Sequence, residues 1–208
     1  MFMNIYTLNL GELGTNCYIA ETAPNLCIAI DIGGNPEKFL DFIKSKNLTL
    51  DKILLTHGHF DHTGGVKKVQ EETGAEIYIH SEDAPMLNDE RISLSSFFGV
   101  PLDKIENFKT INDGDVIKSG NTEFTVMHTA GHTQGSVCYI TGDIIFSGDT
   151  LFCESIGRTD YPGGDIDKMR ESIRKLKNLK GDYKVYPGHF DSTTLENERK
   201  NNPYMRNL

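Results

Sequence analysis

Three histidines and an aspartate fall within Thr56-His57-Gly58-His59-Phe60-Asp61-His62, directly after the apolar run Ile53-Leu54-Leu55. Imidazole is a common metal ligand. Four potential ligands packed this closely repel one another or compete for protons unless a cation holds them. A lone histidine is usually structural, whereas an H-x-H-x-D-H cluster emptying from an apolar strand is a metal site. Further candidates stand where other apolar stretches end. Thr122–Met127 runs into His128-Thr129-Ala130-Gly131-His132, Asp143–Ser147 into Gly148-Asp149, and Lys184–Tyr186 into Pro187-Gly188-His189. A strand end fixes the position of a ligand, and a neighbouring glycine lets backbone approach closely. The resulting set is His57, His59, Asp61, His62, His132, Asp149 and His189.

Seven donors exceed the four of a structural zinc site. They suit two divalent ions, zinc first with iron or manganese as alternatives, each with private ligands and one carboxylate shared. His57 and His59, two apart on extended chain, point the same way and grip one ion. Asp61 and His62, after a change of backbone direction, face a second. Asp149 is the natural bridge, because a carboxylate has two oxygens and a neutral imidazole one usable lone pair. Two ions about 3.5–4 Å apart leave room for a bridging hydroxide, available at neutral pH without a serine or cysteine nucleophile. No cysteine lies in the cluster, which argues against a structural zinc finger. His80 reads as a cap for the following turn, and His128 as a structural residue that could hydrogen-bond a ligand. There is no G-x-S-x-G elbow, Walker loop or G-x-G-x-x-G.

The elements that must hold these residues are legible in outline. Strands are expected over 4–10, 16–20, 26–31, 52–56, 75–80, 122–128, 136–141, 143–147 and 183–186. Helices are expected from Asn35-Pro36, after the histidine cluster to Gly74, from Asp165 to about Leu179, and from Thr193 or Thr194 to Lys200. Ser81 should cap a short helix at Ala84–Leu87. Residues 88–109 carry apolar side chains without a period and read as an irregular, partly helical excursion. Strands followed by a helix recur in both halves, which predicts two β–α lobes stacked as a sandwich with helices outside, in one domain over 1–208.

Composition narrows the function. A net charge of −9 and a pI near 5.2 oppose a nucleic-acid partner held through phosphates. The N-terminus lacks a basic segment before a long apolar core, and no run approaches the roughly 18 apolar residues of a membrane span. A cytoplasmic protein with no membrane partner is expected. Cys17, Cys27, Cys138 and Cys153 form no C-x-x-C pair. An even count permits two disulfides, but buried reduced thiols fit their apolar surroundings better.

T-H-G-H-F-D-H at 56–62, G-H-T-Q-G-S at 131–136, S-G-D-T at 147–150 and P-G-H at 187–189 resemble the metallo-β-lactamase superfamily. The resemblance implies an α+β fold, a four-layer αββα sandwich with the site at one edge of the two sheets. It assigns His57, His59 and His132 to one metal, Asp61, His62 and His189 to the other, and Asp149 to both. Leu151-Phe152, the stretch Ile156–Asp165 and Asp191–Glu198 are similar to short single-domain members of the glyoxalase II (hydroxyacylglutathione hydrolase) group. Only 19 residues follow His189, so the C-terminal helical domain that carries basic glutathione-binding side chains in that group has no counterpart here. The implied reaction is hydrolysis of a small-molecule hydroxyacyl thioester by a metal-bridging hydroxide. Asp61 would orient that hydroxide as well as bind metal, and Arg158 and Tyr161 would bind a substrate carboxylate, unless Arg158 pairs with Asp160 or Asp165. The alternative is a persulfide dioxygenase of the same superfamily with one iron on His57, His132 and Asp149.

Overall fold

A computed structural model describes residues 3–208. In the first half, β1 (Ile5–Leu10), β2 (Thr15–Ala23), β3 (Leu26–Ile30), β4 (Thr49–Leu54), β5 (Glu76–His80) and β6 (Lys109–Ile111) form a sheet in that order. The second half supplies β7 (Val116–Ser119), β8 (Thr122–His128), β9 (Val137–Thr141) and β10 (Ile144–Gly148). A small ribbon follows, β11 (Leu151–Phe152) with β12 (Ser155–Ile156), and then β13 (Lys184–Pro187) and β14 (Thr193–Thr194). The second sheet has the order β14-β13-β10-β9-β8-β7.

The layering follows from side-chain alternation. On β2, Cys17 and Ile19 face one way and join Phe39 and Ile43 of α1 (Pro36–Ser45). Val66 and Val69 of α3 (Val66–Thr73), which follows the one-turn α2 (Phe60–Thr63), belong to the same core. Tyr18 and Ala20 face the other way, into a core with Ile28, Ile30, Phe124, Val126, Tyr139 and Phe146 between the two sheets. On the far side of the second sheet, Cys138, Ile145 and Val185 meet Met169, Ile173 and Leu176. Those three lie on α5 (Ile166–Lys177), which is preceded in the chain by the one-turn α4 (Ser95–Phe98) and followed by α6 (Leu195–Asn201) and α7 (Pro203–Arg206). Helix, sheet, sheet, helix is the expected αββα sandwich. Strands buried on both faces explain the uninterrupted apolar runs.

Parallel pairing sets where the site lies. β3 runs parallel to β4, and β10 parallel to β13, so the carboxyl ends of each pair share an edge. The sheets are tied at that edge: Val137 N–H donates to Thr56 O at 2.9 Å, and Tyr139 Oη to Leu55 O at 2.8 Å. Asn16 N–H reaches Gly188 O at 2.8 Å, and Tyr18 Oη donates to Pro187 O at 2.6 Å.

Local signals held or failed for identifiable reasons. Asp165 caps α5 by accepting from Asp167 and Lys168 N–H, and Thr194 caps α6 through Asn197 N–H. Asn202-Pro203 ends α6 as expected, but Asn202 then caps the further turn α7. Ser81 does not cap the 84–87 turn; its hydroxyl goes to Asn112. The excursion contains α4, entered through Leu94 in the left-handed region at φ 68° and left through Gly99. Its last residue, Lys109, is already in β6. Cys17, Cys27 and Cys138 are buried and free, and Cys153 is free and exposed.

Candidate metal centre

All seven sequence candidates converge at this edge. His57, His59 and His132 place one ligand atom each within 4.8 Å of one another, as do Asp61, His62 and His189, and His57, His62 and Asp149. His59 Nδ1 lies 3.0 Å from His132 Nε2, and His62 Nε2 lies 3.4 Å from His189 Nε2. Asp149 spans the two trios: Oδ1 is 3.4 Å from His62 Nε2, while Oδ2 is 3.6 Å from His132 Nε2 and 3.7 Å from His189 Nε2. Asp61 Oδ2 is 3.2 Å from His189 Nε2 and accepts from the Thr15 hydroxyl at 3.4 Å.

Backbone geometry makes these approaches possible. His59, at φ −67° and ψ 148°, is the last extended residue before α2, whose first turn carries Asp61 and His62 to the second trio. Gly148, at φ 48°, re-aims the chain so that Asp149 points back across the sheet edge. A Cβ on Gly188 would collide with the Asp149 carboxylate and the His62 ring, so only glycine admits His189 this close.

Ring orientation is set by partners that can only accept. His132 Nδ1 donates to the Arg158 carbonyl at 2.7 Å, leaving Nε2 toward the cluster. His62 Nδ1 donates to Asp31 Oδ2 at 2.8 Å, again leaving Nε2 inward. Thr56 Oγ1 gives its proton to Asp31 Oδ2 at 2.7 Å and so accepts from His57 Nδ1 at 3.2 Å, turning His57 Nε2 inward too. One buried carboxylate therefore orients an imidazole in each trio. Asp31 also accepts from Thr56 N–H at 2.8 Å and sits in the left-handed region at φ 52°.

Asp83 plays a comparable part for the loops. Its carboxylate accepts from Gly58 N–H at 3.1 Å, Gly135 N–H at 2.7 Å and the Thr133 hydroxyl at 2.6 Å. It thus joins the loop bearing His57 and His59 to the one bearing His132. This inward turn is why it does not cap the 84–87 helix. Burial pushes its carboxyl above the ordinary range, against the pull of those three donors.

Neither Asp31 nor Asp83 was among the sequence candidates. The visible signal was an acid directly after a strand for Asp31, and three residues after one for Asp83.

The electrostatics call for cations. Burial and the surrounding rings drive His57 well below the usual imidazole value, and burial and His132 bring His59 down to about 3. Burial opposes ionisation of Asp149 and Asp61, yet the His62 ring beside both outweighs it and holds them below the carboxylate range. His62 is the converse: burial lowers it, but Asp31, Asp61 and Asp149 together raise it well above the usual value. These acids create a field that favours positive charge in the centre.

The donor chemistry fits metal ions. His57 Nε2 and Asp149 Oδ1 are buried, face the cluster and have no hydrogen-bond partner, while His59 turns Nδ1 toward His132 Nε2. A buried polar atom left unpaired costs about 1–3 kcal/mol. Such orphans on inward-facing ligands are satisfied when an ion is coordinated. Nitrogen and oxygen donors without thiolate suit zinc or iron. Asp61 and His189 are the half-buried members, which marks the open side of the centre.

The weaker candidates lie around it. His80 and His128 stack on each other with ring centres 4.1 Å apart, outside the centre. His80 Nδ1 accepts from Glu82 N–H at 3.3 Å, and His128 Nε2 donates to Gln134 O at 2.8 Å. Arg158 forms a bidentate pair with Asp160 at 2.7 Å on each arm, and its guanidinium carbon lies 3.7 Å from the Tyr161 ring centre. Asp160, not Asp165, is its partner. Tyr161 stands 6.2 Å, ring to ring, from His59.

Known proteins share this architecture. The family model of the metallo-β-lactamase superfamily matches residues 10–189. The hydroxyacylglutathione hydrolase GloC of Haemophilus influenzae is 33% identical, with 98% of both chains aligned. The crystal structure of BLEG-1 B3 metallo-β-lactamase matches with a TM-score of 0.92 at 34% identity, covering 97% of this chain and 99% of its own. That of TTHA1623 in a di-iron-bound form matches at 0.87 and 34%, covering 96% and 99%. No helix among the described residues is long and apolar enough to cross a membrane. A metal-binding cluster of histidines and aspartates, on an αββα frame that this family's model matches over most of its length, places the chain in the metallo-β-lactamase superfamily.

Proposed function

We propose that the protein is a thioester hydrolase of the hydroxyacylglutathione hydrolase kind, working with two divalent ions, zinc in the first instance. The observation that carries this reading is the pair of ligand trios joined by Asp149, with orphaned donors facing inward. The 33% identity to GloC, end to end, supports the thioester. His57, His59 and His132 would hold one ion, Asp61, His62 and His189 the other, and Asp149 both. Bound divalent ions polarise a carbonyl and bring the pKa of water held on them to near 7.

The remaining work falls to the chain. Asp61 is kept ionised and lies on the open side, where its carboxylate orients the attacking water. Asp31 and the Arg158 carbonyl fix the His57, His62 and His132 rings, so that no reorganisation is needed as charge develops. A thiol of pKa near 8.5 leaves readily as thiolate, so no strong general acid is required. Hydrolysis of the C–S bond releases the hydroxy acid and the thiol.

The test is turnover of S-D-lactoylglutathione by purified protein, followed as free thiol. Thiol release that a chelator stops and zinc or iron restores supports the reading. β-Lactam hydrolysis is the second reading, favoured by the likeness to BLEG-1. Nitrocefin cleavage without thioester turnover on the same sample would replace the first reading with it.

A further inference from the structure

The three exposed phenylalanines among the described residues all stand around the metal centre. Phe97 is 73% exposed, Phe98 42% and Phe190 74%. Exposed aromatic rings forfeit the burial that normally stabilises them, so their gathering at one mouth calls for a ligand. They form two walls, each in contact with a different trio. On one side Phe97 stacks edge-on to Tyr161 at 6.3 Å, and Tyr161 to His59 at 6.2 Å. Phe98 anchors this wall on Phe60, with ring centres 5.0 Å apart. On the other side Phe190 meets Phe152 at 5.4 Å, and Phe152 meets His189 at 6.3 Å.

Both walls are held out by uncommon backbone. Phe190 lies in the left-handed region at φ 65°, and Leu94, which launches the helix bearing Phe97 and Phe98, at φ 68°. Bulky residues adopt this conformation only where surroundings enforce it. At Phe190 the enforcing contact is Asn16, whose amide donates to the Phe190 carbonyl at 2.9 Å and the Pro187 carbonyl at 3.0 Å.

Two features beside the centre offer no free cation to an anionic arm. The guanidinium of Arg158 is already paired with Asp160 through both arms. The cavity of about 300 Å³ beside Phe60 and Asp61 is lined by Leu102, Glu12 and Asp103 and by no basic residue.

Resting on the thioester reading, we infer that the substrate's arms are apolar or aromatic rather than anionic: one packs on Phe97 and Tyr161, the other on Phe152 and Phe190. The two Phe walls set specificity and the trios set the reaction.

Two probes test this, the S-benzyl thioester of mandelic acid, which carries an aromatic ring on each side of the scissile bond, against S-D-lactoylglutathione, on wild type, F97S and F190S. Wild type is expected to favour the benzyl ester in kcat/KM by about ten-fold, and each variant to raise its KM by about ten-fold. Binding by the metal-free chain gives a readout independent of activity. Saturation-transfer NMR should show the two-ring thioether 2-benzylthio-1-phenylethanol bound and S-methylglutathione not bound, with the aromatic signals lost in both variants. Preference for the glutathione ester, or variants with unchanged KM, would overturn the inference while leaving the thioester reading intact. Variants that dissociate a dimer with KM unchanged would make the patch a self-interface and overturn it likewise. Cleavage of neither ester by metal-loaded protein would overturn the thioester reading, and this inference with it.

Discussion

The floor of the centre and its rim are built on opposite principles. On the floor, His57, His59, His62 and His132 are at most 3% exposed, and Asp31 and Asp83, both 1% exposed, fix rings and loops. On the rim, aromatic rings stand in water, and Arg158, whose carbonyl holds His132, spends its charge on its neighbour Asp160. Buried hydrogen-bonded groups hold ligands within the narrow tolerance that coordination demands. Exposed groups can change without unsettling the ions. On the proposed reading, the floor would set the reaction and the rim what is delivered to it.

Variants separate the two regions, beginning with the floor. His132→Ala removes an inward-facing ligand and should abolish turnover of any substrate, with metal content falling toward one ion per chain by mass spectrometry. Full activity would remove the ligand assignment. Asp31→Ala loosens His62 directly and His57 through Thr56, so both ions should bind about 10–100-fold more weakly. Chelator competition measures this. The same change leaves buried donors on Thr56 and His62 unpaired, at about 1–3 kcal/mol each, which thermal unfolding will register. Asp83→Ala cuts the tie between the two loops of the first trio only. About ten-fold weaker binding of one ion, with the other unaffected, is expected; equal loss at both would place Asp83 in general stability. On the rim, Asp160→Ala frees Arg158 and should change no metal affinity. It should lower KM for S-D-lactoylglutathione by about three-fold, the smallest effect of the set.

The same division explains what could be read from the sequence. The seven residues that the fold gathers into one cluster were legible as candidate ligands because His and Asp at strand ends have few other uses at that density. Strand and helix signals located β8, α5 and α6 to within a residue or two, since β8 alternates and α5 and α6 open on the caps Asp165 and Thr194; for α1 Asn35-Pro36 marked the start. Asp31 and Asp83 were hidden because an acid after a strand is ordinarily turn material; only the fold brings Thr56, Gly58 and Gly135 against them. The excursion over 88–109 was unreadable for a related reason. Phe97 and Phe98 follow no period because they face the mouth of the site, not a core. Arg158 was a candidate for binding a substrate carboxylate or for pairing with Asp160 or Asp165, and it pairs with Asp160 through both arms of its guanidinium.

The central claim is a centre of two ions held by two trios and a shared Asp149. Metal content of protein purified without added metal, measured with thiol release on the same sample, tests it most directly. The account predicts close to two divalent ions per chain and thioester turnover that tracks the second ion. A single iron per chain with oxygen uptake on glutathione persulfide, and no thioester cleavage, would contradict it.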